Sequence, residues 1–183
     1  MTRYLALLRA VNVGGSSRIG MDELRRLIEP LGFADVRTLG QSGNVVFRGP
    51  PEAPIAVERR LETRLARSVG LSTLVFVRTS EEWNAIVQRN PFPEEASHDP
   101  AHLTCWLLKE APAASKWNGL RAGIRGREKV AGSGREAYLV YPDGIGRSPV
   151  TSALVERTLG TRGTARNWNT MQRLEGLSSG EST

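Results

Sequence analysis

Tyr4-Leu5-Ala6-Leu7-Leu8-Arg9-Ala10-Val11-Asn12-Val13-Gly14-Gly15 is an apolar strand that runs directly into an Arg, an Asn and two glycines. Glycine populates positive φ at little steric cost, so the Gly14-Gly15 pair allows successive backbone N–H groups to turn toward one point, where an anion can sit. The strand itself does not alternate. Leu5, Leu7 and Leu8 make it apolar on both faces, as in strands covered on both sides, and Leu74 to Val77, Cys105 to Leu108 and Tyr138 to Val140 read the same way.

Working outward, residues 3–9 are a strand, and apolar residues at 21, 24, 27, 28 and 31 have helical spacing, stopped by Gly32. Residues 36–39 and 45–48 are two short strands around the hairpin signal Gly40-Gln41-Ser42-Gly43. Residues 55–69 form an amphipathic helix, 73–77 a β-branched strand and 80–89 a further helix, giving β-α-β-β-α-β within a first half of 1–90. Asn90-Pro91-Phe92-Pro93 opens a linker, residues 91–101. The order then repeats over 102–177, with strands at 102–109, 129–131, 136–141 and 163–166 and helices at 112–122, 148–159 and 169–177; 178–183 is a polar tail expected to be disordered. The expected fold class is α+β: two tandem ferredoxin-like halves, a repeat of topology more than of residues, covering each other's open sheet faces.

In this topology residues 9–15 and 40–44 leave the same end of the first sheet. Arg9, Asn12, Gly14, Gly15, Gln41, Ser42 and Asn44 then share one rim. In the second half Arg147 and Ser148 meet Arg166, Asn167 and Asn169 at the opposite end, and head-to-tail packing turns both clusters toward one groove. Each residue also has a plainer reading. Asn12 can cap its own backbone, Arg9 can pair with an acid, and Gln41, Ser42 and Asn44 can be hairpin chemistry. One Asn of Arg166-Asn167-Trp168-Asn169-Thr170 can cap a helix, with Trp168 in the core.

The net charge of +6, carried almost wholly by Arg since Lys109, Lys116 and Lys129 are the only lysines, favours an anionic partner. The apolar runs fall far short of the roughly 20 residues of a membrane helix. Cys105, the only cysteine, excludes an intramolecular disulfide and fits a reducing compartment, so a cytoplasmic location and no membrane partner are expected. No phosphate-cradling G-x-x-x-x-G-K-[ST] motif is present, and Asp22 and Glu23 would repel phosphate at the first helix start. His98 and His102 flank Pro100, which breaks the helix that would align them on a metal, and Cys105 lies in an apolar strand without an evident base. No metal and no cofactor are expected, and whether the chain is an enzyme is left open because no catalytic motif stands out.

These motifs also carry a resemblance. Leu7-Leu8-Arg9 followed by Asn12-Val13-Gly14-Gly15, then Gln41-Ser42-Gly43-Asn44-Val45, then Arg166-Asn167-Trp168-Asn169-Thr170 resemble the family called domain of unknown function 1697, as do Met21, Asn90-Pro91-Phe92, Tyr138 and Arg147-Ser148. The chain departs from that pattern at Ala10, where the family has Gly, at Leu39-Gly40, where it has Tyr and an aliphatic residue, and at Pro149-Val150, where it has Lys-Leu. The absent Lys weakens an anion role for 147–149. The resemblance implies an α+β fold and no established activity.

The functional expectation is a small anionic ligand, phosphorylated or nucleotide-like, bound in a polar groove between the halves by the residues of the two rims. Two alternatives stand beside it. One is a nucleic-acid-binding module built on the basic hairpin Arg125-Gly126-Arg127-Glu128-Lys129 to Gly132-Ser133-Gly134-Arg135, with Tyr4, Phe47, Trp106, Tyr138 and Tyr141 as possible stacking rings. The other is an interaction protein without a ligand. The oligomeric state is left open.

Overall fold

The structure is a computed structural model, and it describes residues 1–12 and 18–180. The chain divides into two units, one of Met1–Ala85 together with the residues from Arg173 on, the other of Ile86–Gln172. The division falls inside a helix and not in the expected 91–101 linker, part of which is itself helical.

In the first unit β1 (Thr2–Leu8) is followed by α1 (Met21–Ile28), β2 (Ala34–Leu39), β3 (Asn44–Gly49), α2 (Pro54–Val69), β4 (Val75–Thr79) and α3 (Ser80–Gln88). The four strands make one antiparallel sheet in the order β2-β3-β1-β4. Alternation along β1 puts Tyr4, Ala6 and Leu8 into a core with Leu24 and Ile28 of α1 and Val57, Leu61 and Leu65 of α2. Each buried large side chain of this kind contributes roughly 1.5–3 kcal/mol. Leu5 and Leu7, on the other face, are fully buried as well, as the unbroken apolar run requires. Gly32 ends the first helical segment in the left-handed conformation at φ 85°. The hairpin between β2 and β3 turns through Gly40 and Gly43, both at positive φ.

The second unit carries α4 (Pro93–His98), β5 (Leu103–Leu108), α5 (Ala114–Gly123), β6 (Lys129–Ser133), β7 (Glu136–Val140), α6 (Ser152–Leu159), β8 (Gly163–Asn167) and the start of α7 (Trp168–Ser179). Its antiparallel sheet has the order β6-β7-β5-β8. Trp106, Leu108, Ala137, Leu139 and Tyr141 pack on Trp117, Leu120, Val155 and Leu159 of α5 and α6.

The element boundaries differ from expectation where proline or a side-chain cap decides them. Helix α4 lies within the stretch read as a linker, because Pro93 at the first helical position, followed by Glu94 and Glu95, starts a helix and does not break one. Helix α6 begins at Ser152 and not near Ser148, since a residue before proline avoids the helical region and Ser148 is extended at φ −79°, ψ 139°. Thr151 supplies the cap, accepting from the Leu154 N–H. Helix α7 runs through Ser179, into the stretch read as a tail, and Arg3 donates to the buried Ser178 carbonyl.

Candidate functional site

The exit of β1 is tied to the first hairpin by backbone and side chain together. The Leu8 N–H donates to the Gly43 carbonyl at 2.9 Å, and Asn12 Nδ2 donates to the carbonyls of Gln41 at 2.7 Å and Ile19 at 3.0 Å. Asn12 Oδ1 in turn accepts the Ile19 N–H at 3.0 Å. Asn12 sits at φ 58°, a left-handed conformation that Asn adopts more readily than most residues, so it works as a latch between β1, the hairpin and the approach to α1. Residues 9–12 and 40–44 do meet at one end of the sheet. Gly14 and Gly15, the expected anion nest, lie outside the described residues.

Asn44 is 4 % exposed and donates to the Leu39 carbonyl at 3.0 Å, closing the base of the hairpin. Gly43 has φ 70°, and a Cβ there would come within 2.6 Å of Val11 and 2.7 Å of Leu8, so only glycine fits under the loop. Gln41 and Ser42 are exposed at the hairpin tip. Arg9 is half-buried, with its backbone held on both sides: its N–H donates to the Leu74 carbonyl at 2.9 Å and its carbonyl accepts the Thr73 hydroxyl at 2.7 Å. It lines a cleft of about 510 Å³ with Glu62, Thr63, Ser72 and Thr73. Glu62 faces the same space but accepts the Val75 N–H at 2.8 Å. Sequence reasoning named Arg9 and missed the hydroxyl residues, which come from the 72–74 approach to β4 and from α2.

In the second unit residues 144–146 and 165–167 line one cavity of about 450 Å³, together with His102, Thr104 and Tyr141. Asn167 caps α7, its Oδ1 accepting the Thr170 N–H at 3.0 Å and hydroxyl at 2.8 Å. Arg166 is adjacent in sequence but lies opposite Cys105 in the ladder, while Asn167 lies opposite Thr104, so the two side chains belong to opposite faces of β8. The Arg166 guanidinium donates to the Thr164 hydroxyl at 3.0 Å and the Ala165 carbonyl at 2.8 Å, and burial pushes its pKa down to about 10, still protonated at neutral pH. Ser148 donates to Glu128 and accepts the Val150 N–H at 3.0 Å, a turn-forming role; Arg147 and Asn169 are exposed.

The basic hairpin is met by acids. Arg127 pairs with Asp143, Lys129 pairs with Glu95, and Arg135 Nε donates to the Leu108 carbonyl at 3.2 Å. Hydrogen bonding and charge from the partner hold the Glu95 carboxyl below its ordinary range and the Lys129 ammonium above its own. Tyr4, Phe47, Trp106, Tyr138 and Tyr141 are all at most 5 % exposed, so none offers a ring for base stacking. His98 bonds the Glu94 carbonyl at 3.0 Å and His102 bonds Asp99 at 2.8 Å, and no group of three or more metal-ligating side chains occurs among the described residues. No helix among them is long and apolar enough to cross a membrane.

The molecule is thus a mixed α/β protein with two four-stranded antiparallel sheets and seven α-helices among the described residues, in two halves. The chain belongs to the family "Protein of unknown function (DUF1697)", whose model matches residues 1–138. Among solved structures it is similar to the conserved bacterial protein SP0830 from Streptococcus pneumoniae, at 20% identity and a TM-score of 0.71, covering 96% of this chain and 98% of that one. That likeness extends to the fold. A comparison with curated proteins finds no match.

Proposed function

We propose that this chain binds a small anionic ligand, phosphorylated or nucleotide-like, at the cleft where β1 ends, and that each unit is a ferredoxin-like module presenting such strand ends. The strand orders β2-β3-β1-β4 and β6-β7-β5-β8 support the second part. The observation that carries the first is the setting of Arg9: a guanidinium on a backbone fixed by Leu74 and Thr73, at the wall of a cleft of about 510 Å³ that also carries the Thr63, Ser72 and Thr73 side chains. A planar, charged fork beside hydroxyl groups suits a phosphate or carboxylate. Asn12, Asn44, Asn167 and Ser148 serve this reading as scaffold, since their polar atoms hold loops and helix ends.

A thermal-stability screen against nucleotides, sugar phosphates and short oligonucleotides tests it. One small phosphorylated compound should raise the melting temperature by mass action, and Arg9→Ala should abolish that rise while leaving the unliganded protein folded. Stabilisation by oligonucleotides alone, steeply weakened by salt and insensitive to Arg9→Ala, would replace this reading with nucleic-acid binding.

A further inference from the structure

The cavity of about 450 Å³ in the second unit has a different chemistry from the Arg9 cleft and shares no residue with it. It opens on the helix-bearing side of the sheet, where Thr104 of β5 stands opposite Asn167 of β8 and the Tyr141 N–H extends the ladder to the His102 carbonyl at 2.8 Å. Tyr141 is 1 % exposed; the Trp106 indole N–H beside it is the donor that faces its hydroxyl oxygen, and the hydroxyl's own proton has no acceptor among the described residues. A buried O–H proton without an acceptor costs free energy, so such a donor on a residue lining a cavity marks a position where another molecule's acceptor atom belongs.

The four side chains divide evenly between donors and acceptors. Burial pushes the Tyr141 phenol up, so it remains a protonated donor at any physiological pH. Asn167 spends its Oδ1 on Thr170, which leaves the Nδ2 donors directed elsewhere than the helix cap. Thr104 donates its hydroxyl proton to the Leu139 carbonyl at 3.2 Å, leaving oxygen lone pairs. His102 bonds Asp99 through Nδ1 at 2.8 Å, so in the tautomer that carries its proton on Nδ1 the Nε2 atom is an acceptor, and that nitrogen lies 3.8 Å from where a Cβ on Gly144 would stand. An anion would need donors alone and a cation acceptors alone. The one guanidinium nearby, of Arg166, is drawn to Thr164 on the opposite face of β8. A hydroxyl group both donates and accepts, and Gly144 and Gly146 leave room for a ring against the backbone.

From this we infer that the cavity binds a neutral polyhydroxylated ring, either a free monosaccharide or the ribose of a nucleoside. The volume lies in the range of sites that enclose one small molecule. Tyr141 anchors the ring from the floor and His102 accepts at the mouth.

The test is NMR of the imidazole nitrogens of the full chain, with His98 as the internal control, during titration with D-ribose, D-glucose, adenosine, uridine and inorganic phosphate. At least one neutral probe should shift His102 saturably at millimolar concentrations while phosphate does not. Tyr141→Phe should weaken that binding about tenfold. Because the lost hydroxyl donates to no acceptor in the unliganded protein and meets only the Trp106 indole N–H, the same variant should melt close to the wild-type temperature, which separates lost binding from lost folding. Free sugars and nucleosides responding together point to the ring, nucleosides alone to the ribose with its base. No saturable shift with any neutral probe, a shift with phosphate only, or undiminished binding in Tyr141→Phe would each overturn the inference.

Discussion

Replacing Asn12 with Ala removes three hydrogen bonds at once: from Nδ2 to the Gln41 and Ile19 carbonyls, and from the Ile19 N–H to Oδ1. At about 1 kcal/mol net for each, somewhat less for the exposed bond to Gln41, the lost bonds come to about 2–3 kcal/mol. Asn12 also holds φ 58°, where Ala is disfavoured by about 1 kcal/mol, so the full cost is about 3–4 kcal/mol. That is a large share of a typical folding free energy of about 5–15 kcal/mol. Urea unfolding followed by circular dichroism should register it as a midpoint lowered by roughly 1.5–2 M at unchanged slope, taking about 2 kcal/mol per molar for that slope. Asn12→Gly makes the same bonds impossible but accepts the backbone angle, so it should cost about 1 kcal/mol less than Ala. If Asn12→Ala stays within about 0.5 kcal/mol of wild type, the latch contributes little and the reasoning is wrong.

Gly43→Ala places a methyl within 2.6–2.7 Å of Val11 and Leu8 at φ 70°, so strain and overlap together should cost about 2–4 kcal/mol in the same urea assay. Ala10, at φ 52°, gains from Gly by relief of the left-handed penalty and loses through the more flexible unfolded chain, so Ala10→Gly should be neutral to about 1 kcal/mol stabilising. Glu58 and Arg78 are buried together, with Glu58 also accepting the Val77 N–H at 3.0 Å; Glu58→Ala takes the carboxylate from a buried guanidinium that also donates to the Val77 carbonyl at 2.8 Å, and should cost about 3–5 kcal/mol by chemical unfolding. Burial raises the Tyr138 and Tyr141 phenols in the folded state, so the protein binds protons that the unfolded chain releases above pH of about 10, and stability should fall as pH rises from there. Ultraviolet titration checks this: these two rings should ionise with alkaline unfolding and not before it.

The strands and helices were legible wherever the signal is local. Periodicity located β1, α1 and α2, and the glycines marked the hairpin; Leu5 and Leu7 announced a strand covered on both faces. What stayed hidden depends on partners distant in the chain. β4 continues through Arg78, which reads as a strand end until Glu58 arrives from α2 to neutralise it. Pro93 reads as part of a linker and Pro149 as part of a helix from residue 148, yet Pro93 starts a helix and Pro149 holds the preceding Ser148 extended. Of the motif residues, Gln41 and Ser42 lie on the hairpin, Asn44 opens β3, Arg166 and Asn167 end β8 and Asn169 lies in α7. Their roles were ambiguous, because an Asn that caps a helix and an Asn that holds a ligand have the same sequence signature: Asn167 turned out to cap α7, Asn12 to latch a loop and Asn44 to close a hairpin. The sugar-sized cavity was not visible at all, since His102, Thr104 and Tyr141 become neighbours only through the β5–β7 ladder.

The central claim, an anionic ligand at Arg9, is tested most directly by following the guanidinium Nε–Hε signal of Arg9, assigned by its loss in Arg9→Lys, while the best-stabilising phosphorylated compound is titrated. The account predicts a saturable shift of that signal with the hairpin signals of Arg127 and Arg135 unmoved. A compound that stabilises the protein and leaves the Arg9 signal in place would contradict it.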